Sequence, residues 1–309
     1  MKRISPPRRP HDMPRPIPRR TVRTTTHIHR LPRFLLAWLA LCCLPRFADA
    51  SGDWYVGRRV SPSQLVPLDR IDHSLWDALL QKYVDRDGFV DYRRWKATAA
   101  DRQALDRYLA ILSTGNPDQR TTRQAKLAFW INAYNALTIR GILREYPTTS
   151  IRNHTARLFG YNIWKNLHLY VGGKPYHLEQ IEHQILRPMR DPRIHFAIVC
   201  ASRGCPRLLN RAYVPEKVDE QLDANARDFF SRPQNFRFDP AANRFYLSSI
   251  LSWFAEDFGS DTAAQLRRIA PYLPTEAARQ AALRGNVSIS YLDYDWSLND
   301  QSTRRTARR

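Results

Sequence analysis

Residues 122–145 read TRQAKLAFWINAYNALTIRGILRE, and this stretch decides the architecture. Apolar residues run through its middle almost all round a helical projection. A helix of that kind is buried on every side, so the rest of a domain must be built around it. Tyr146-Pro147 ends it, because the residue before a proline is driven out of the helical region. Inside the run sit two amides, Asn132 and Asn135, three positions apart and able to face one side. Buried amides must find partners, so they read first as anchors for neighbouring loops. Orienting a reactive side chain is their second possible role.

Outward from this helix, segments 75–84 and 99–113 carry amphipathic helical spacing, with DGFVDY between them as a turn and a short β-prone piece. On the C-terminal side LHLYV and KPYHL flank Gly172-Gly173, the pair a two-residue hairpin turn prefers because both positions need positive φ. A helix follows over 178–187 and Asp191-Pro192 breaks it; IHFAIVC (194–200) reads as a short buried strand. Then come a helix over 215–230, a hairpin over 236–247, helical segments at 248–258, 262–273 and 275–284, and a late strand in VSISYLDYDW (287–296). The order gives an α+β class, a single mixed domain with a helical N-terminal part. Its expected divisions are a leader over 1–50, a lead-in over 51–74, the domain over 75–300 and a disordered basic tail over 301–309.

The formal charge of +20 suggests a polyanion ligand until it is divided along the chain. Residues 1–50 hold 11 Lys and Arg against 2 Asp and Glu, which leaves 38 against 27, a net +11, for the rest. The first 33 residues are rich in arginine and proline, FLLAWLALCCLP (34–45) is an uncharged apolar run, and Ala48 and Ala50 occupy the small positions of an A-x-A cleavage site. That is the pattern of a secretory signal peptide, and the run is too short to span a bilayer. The expectation is an exported protein, periplasmic or secreted, starting at Ser51, with no nucleic-acid partner and no transmembrane helix after cleavage.

AFWINAYNALTI (128–139), IEHQILRP (181–188), DPRIHFAIVCASRGCPRL (191–208), SSILSWFAEDF (248–258) and YLDYDWSLN (291–299) together resemble the domain of unknown function DUF547, over about residues 75–300. The resemblance implies a papain-like or transglutaminase-like thiol fold, and it matches Cys200 and His183 to the family pattern better than Cys205.

Without the leader the chain keeps two cysteines, Cys200 and Cys205. In an exported protein they can staple a loop as a disulfide. They can equally be a reactive thiol site, with Cys200 as nucleophile, His183 as the base that draws off its proton, and Glu179, four residues before His183, orienting the ring. Asn132, Asn135 or Asp295 are further candidates for that orienting role, while Ala201, Ser202 and Gly204 offer room and backbone N–H donors for an oxyanion. Pro206 could begin a helix and put Cys205 at its N-terminus, which makes Cys205 the runner-up nucleophile. A metal site drawing on His177, His183 and His195 is the third possibility.

His195 otherwise reads as a core or surface histidine, Glu182 as part of an ion pair, Glu256-Asp257 as a helix-end acidic pair, and Tyr291, Tyr294 and Trp296 as half-buried strand packing or, second, as the lining of a sugar or peptide groove. No Walker loop, Rossmann fingerprint, HExxH or G-x-S-x-G occurs, so no cofactor is expected. Two functions remain: a cysteine-dependent hydrolase or acyltransferase acting on an amide, peptide or other acyl bond of the envelope, or a non-catalytic envelope binding module pinned by a Cys200–Cys205 disulfide.

Overall fold

The computed structural model describes residues 52–156 and 161–306; the expected leader and its cleavage site lie outside the described residues. Four helices, α1 (Ser74–Tyr83), α2 (Tyr92–Ala97), α3 (Ala99–Leu112) and α4 (Arg123–Glu145), make the N-terminal part. α4 is the long helix read from the sequence. The Thr122 hydroxyl caps it by accepting from the Ala125 N–H at 3.1 Å, and its side chains are buried from Ala125 to Leu143 with few breaks. α2 is an addition to the sequence reading: the β-prone piece of DGFVDY makes a single bridge, Val90 to Val84, and Asp91 then caps a helix by accepting from the Arg94 N–H at 3.0 Å.

Among the described residues three small sheets accompany the helices. β1 (Trp54–Val56) runs parallel to β4 (Leu167–Val171), which turns back on β5 (Lys174–His177); β2 (Val66–Pro67) pairs in parallel with β3 (Gly115–Asn116). The β4–β5 hairpin turns at Gly172 and Gly173, with φ of +59° and +81° as its two-residue loop requires. A short α5 (Ile163–Asn166) precedes β4, and after β5 the chain enters one helical segment: α6 (Leu178–Gln180), a π-helical turn over Ile181–Leu186, and a 3₁₀ turn over Arg187–Met189. The expected helix is therefore present, but its middle, which carries Glu182 and His183, is π-helical.

C-terminal to this, α7 (Val218–Ser231) leads to the hairpin of β6 (Phe236–Asp239) and β7 (Arg244–Ser248). Next come α8 (Ile250–Trp253), α9 (Ala255–Phe258), α10 (Thr262–Ile269) and α11 (Glu276–Arg284), before β8 (Ser288–Leu292) pairs in parallel with β7. α12 (Gln301–Thr306) occupies the start of the expected disordered tail; the Gln301 amide donates to the carbonyls of Tyr83 and Phe89. The described residues form one compact unit with two apolar clusters, one around α4 and one around Phe196, Phe229, Phe230 and α8–α11. This is an α+β domain.

Residues 194–200 are not the strand their composition predicts. Asp191 and Pro192 open a 3₁₀ turn through Phe196, and the chain then runs irregularly to Cys200. An asparagine supplies what a neighbouring strand would have supplied: the Asn135 amide donates to the Ala197 carbonyl at 3.0 Å, and its oxygen accepts from the Val199 N–H at 3.0 Å. Asn132 does the same for Tyr213, donating to its carbonyl at 2.7 Å and accepting from its N–H at 3.0 Å. Both amides of the central helix are thus committed to backbone that is buried and has no ladder partner. The late strand also ends early, at Leu292. From there residues 295–299 lie along the cysteine loop, with the N–H groups of Arg203 and Gly204 donating to the Ser297 and Asp295 carbonyls at 2.8 Å each.

Candidate functional site

Cys200 and Cys205 stand at disulfide distance, their Cα atoms 6.4 Å apart, Cys200 half-buried and Cys205 buried. No helix starts at Pro206, so Cys205 lacks the helix N-terminus proposed for it from sequence. Between the two cysteines Ala201 holds φ of +55°, a left-handed conformation that costs a non-glycine residue about 1–2 kcal/mol. The turn is held by the Asn299 N–H, which donates to the Ala201 carbonyl at 3.1 Å. A methyl group at Gly204 would lie 2.9 Å from the Tyr294 ring, so the missing side chain lets that ring close over the loop.

The Tyr294 hydroxyl reaches both sulfurs, at 3.0 Å from Cys200 Sγ and 3.1 Å from Cys205 Sγ, and lies 2.8 Å from Ser202 Oγ. Burial raises its pKa far above that of a free phenol, so it stays protonated and able to donate at neutral pH. Cys205 Sγ also receives the Cys200 N–H at 2.9 Å and the Ser202 hydroxyl at 3.3 Å.

The sulfur pair lines a cavity of about 280 Å³. His183 and Glu179 line it as well, so the structure brings together four of the residues proposed from sequence. Their contacts differ from expectation. Glu179 pairs with Lys165 at 3.4 Å, and it is Arg187, four residues after His183, whose guanidinium donates to His183 Nδ1 at 3.1 Å. A guanidinium can only donate, so Nδ1 accepts and the neutral ring carries its proton on Nε2. Burial and then the Arg187 charge lower the His183 pKa. Asn132 and Asn135 are held by backbone as described, and Asp295 accepts from the Ser297 N–H at 2.9 Å.

His195 lines the same cavity. Its ring is buried, stacks on Phe254 at 4.1 Å between centroids, and places Nε2 2.7 Å from Asp257 Oδ2. Burial raises the pKa of Asp257, but the hydrogen bonds from His195 and Arg187 outweigh it and hold the carboxyl well below the usual range. An ionised carboxylate can only accept, so Nε2 donates and the Nδ1 lone pair of a neutral His195 is left for another proton. Burial lowers the pKa of His195 against the opposing pull of Asp257. Arg187 joins the two histidines, since it also bonds Asp257, Nε to Oδ2 at 2.6 Å, and Glu256 at 2.6 Å. Glu256-Asp257 is therefore a partner set for Arg187 and His195 and not a simple helix-end pair.

Glu182 forms no ion pair among the described residues. Its carboxylate accepts from the Tyr134 hydroxyl at 3.2 Å, and burial raises its pKa to about 7. Tyr294 and Trp296 belong to the cavity wall with Trp164, Trp253 and Phe254, whereas Tyr291 is 47% exposed on β8. Asp257, Arg187 and Glu182 were not singled out as site residues by sequence reasoning, and His195 was named only as a possible metal ligand and Tyr294 only as part of a possible groove wall. The usable signal was the set of five motifs: each of them sends at least one side chain to this cavity. Among the described residues no three or more His, Cys, Asp or Glu stand as a metal-holding group, and no helix is long and apolar enough to cross a membrane.

The family model of DUF547, described as a protein of unknown function, matches residues 118–230. Residues 118–230 belong to the DUF547 family. No curated protein and no solved structure matches it. The DUF547 match covers Tyr134, Glu179, Glu182, His183, His195 and both cysteines; Phe254, Tyr294 and Trp296 enter the cavity from outside it, and Asp257, also outside it, contacts His195 from behind the wall.

Proposed function

We propose that this DUF547 domain is a cysteine-dependent hydrolase or acyltransferase acting on an amide, peptide or other acyl bond, with Cys200 as nucleophile and His195 as its base. The observation that carries this reading is that Cys200 and an Asp257-held His195 line one cavity, with the Tyr294 hydroxyl 3.0 Å from the Cys200 sulfur. In the reduced chain His195 Nδ1 takes the thiol proton and the thiolate forms a bond to the acyl carbon. The carbonyl π electrons move onto oxygen, where the Tyr294 O–H donates to the oxyanion. The tetrahedral adduct collapses, the bond to the leaving group breaks, and the His195 proton goes to that group. Water or an amine then releases the acyl group by the same steps in reverse. His183, with its proton on Nε2, serves as a donor to substrate and not as the base.

Export belongs to the same proposal. The arginine-rich arm, the apolar run and the A-x-A site support it, and the envelope is where a cysteine pair can remain oxidised. The rival reading, a binding module with a stapled loop, is favoured by one observation, the two sulfurs at disulfide distance.

The test is alkylation and acyl-probe labelling of the chain from Ser51, with and without reductant, across pH 5–9. The proposal expects Cys200 in the reduced chain to react at a pH well below the roughly 8.5 of a free cysteine and Cys200→Ala to abolish labelling with the fold intact. Labelling that Cys200→Ala leaves unchanged, or a reduced Cys200 that titrates like a free thiol, would sink the enzyme reading and leave the binding module.

A further inference from the structure

We infer that the cavity takes a substrate carrying a primary ammonium group, seated against the aromatic wall with Glu182 as its counter-ion; this rests on the acyl-transfer reading of the same site. Glu182 is the one carboxylate of the cavity wall without a cation. Lys165 is taken by Glu179, and Arg187 is divided among Glu256, Asp257 and His183. The Tyr134 hydroxyl at 3.2 Å is its hydrogen-bond partner, which leaves most of its acceptor capacity open toward the cavity. A half-buried carboxylate with one neutral partner is costly, and a bound cation relieves that cost.

The groups that act on Glu182 have the same bias. From its own helical segment come Glu179 and Arg187, from α9 Asp257, and from α4 Tyr134; two carboxylates thus stand beside it against one committed guanidinium. The wall supplies the second half of the recognition. Trp253 and Trp296 lie 5.8 Å apart at an interplanar angle of 23°, and Tyr294 packs against both at 4.8 and 4.5 Å. Their faces attract a cation, and Trp253 is 50% exposed. A volume of about 280 Å³ suits an aminoalkyl stem of a few carbons. A neutral sugar or an aliphatic acyl chain would fill the aromatic wall but leave Glu182 unpaired, and a carboxylate would be repelled by it.

The experiment uses n-butylamine, n-butanol and butyrate as probes of the full chain at pH 8, read by tryptophan fluorescence, since Trp164, Trp253 and Trp296 line the site. n-Butylamine, as its ammonium ion, is expected to bind saturably and at least tenfold more tightly than n-butanol, with butyrate weakest. Glu182→Gln should remove that preference, weakening the amine about tenfold or more and leaving n-butanol unchanged. In wild type alone, amine affinity should fall between pH 8 and pH 6 as Glu182 takes a proton, which keeps the proposal testable if the variant does not fold. n-Butanol binding as tightly as the amine, or a preference that survives Glu182→Gln in a folded chain, overturns it. Cys200→Ala separates the two proposals: it abolishes acyl labelling and leaves amine binding intact.

Discussion

Two histidines line one cavity and are prepared for opposite tasks. His183 rides on the π-helical turn and faces a guanidinium, which forces its Nδ1 to accept; His195 leaves a 3₁₀ turn and faces a carboxylate, which forces its Nε2 to donate. Residue type and cavity are the same, but the partner's sign decides which ring can take a proton from a thiol. Arg187 and Asp257 bond each other, so the two settings are made by one shared ion pair. The lesson is that a histidine near a cysteine is not yet a base; the atom on its far side makes it one.

The comparison breaks most sharply on His195→Gln. In the reduced chain it should lower the rate of Cys200 acylation by roughly 10²–10⁴-fold, the range for loss of a general base, whereas His183→Gln should cost less than about tenfold. Equal losses would mean that the tautomer argument has no force. Asp257→Asn comes next: it removes the charge that holds His195 Nε2–H and leaves Arg187 with one carboxylate, so acylation should drop about a hundredfold, with stability lower by about 2–3 kcal/mol in a denaturant titration.

Asn132 and Asn135 give a control on the same central helix. Either alanine variant orphans a buried N–H and a buried carbonyl and should cost about 2–4 kcal/mol. Only Asn135→Ala should change Cys200 labelling as well, because the chain it holds leads directly into the cysteine loop.

The smallest effect is on pH dependence. His195 and the distant His73, which lies 2.7 Å from the Tyr108 hydroxyl and is pushed by burial to about 4, both have lowered pKa values in the folded chain. Through these two groups the unfolded chain binds more protons than the folded one below about pH 6.5, which lowers stability as pH drops from 6.5 toward 4, while Glu182, raised to about 7, opposes them over the same window. Thermal melts over that window check it. His73→Phe should remove part of the slope without altering labelling, and His195→Gln should alter both.

Much of the fold was legible because it depends on local spacing. The buried helix 123–145 and the Gly172-Gly173 hairpin announce themselves within a few residues. Residues 194–200 misled because an apolar, β-branched run reads as a strand whenever its partner is unseen, and here the partner is one amide 62 positions earlier, from Asn135 to Ala197. The candidate site divides the same way. Cys200, Cys205, His183 and Glu179 lie within one short span and were readable, while His195 and Asp257 are 62 positions apart and meet only when α9 packs against the 3₁₀ turn. Their relation is a property of packing, which periodicity does not report.

The most direct test of the account is the pH dependence of Cys200 acylation in the reduced chain, measured side by side for wild type, His183→Gln and His195→Gln. The account predicts an acid limb below the ordinary histidine value of 6.5 in wild type, kept in His183→Gln and lost together with most of the rate in His195→Gln. An acid limb that disappears with His183→Gln and survives His195→Gln would contradict it.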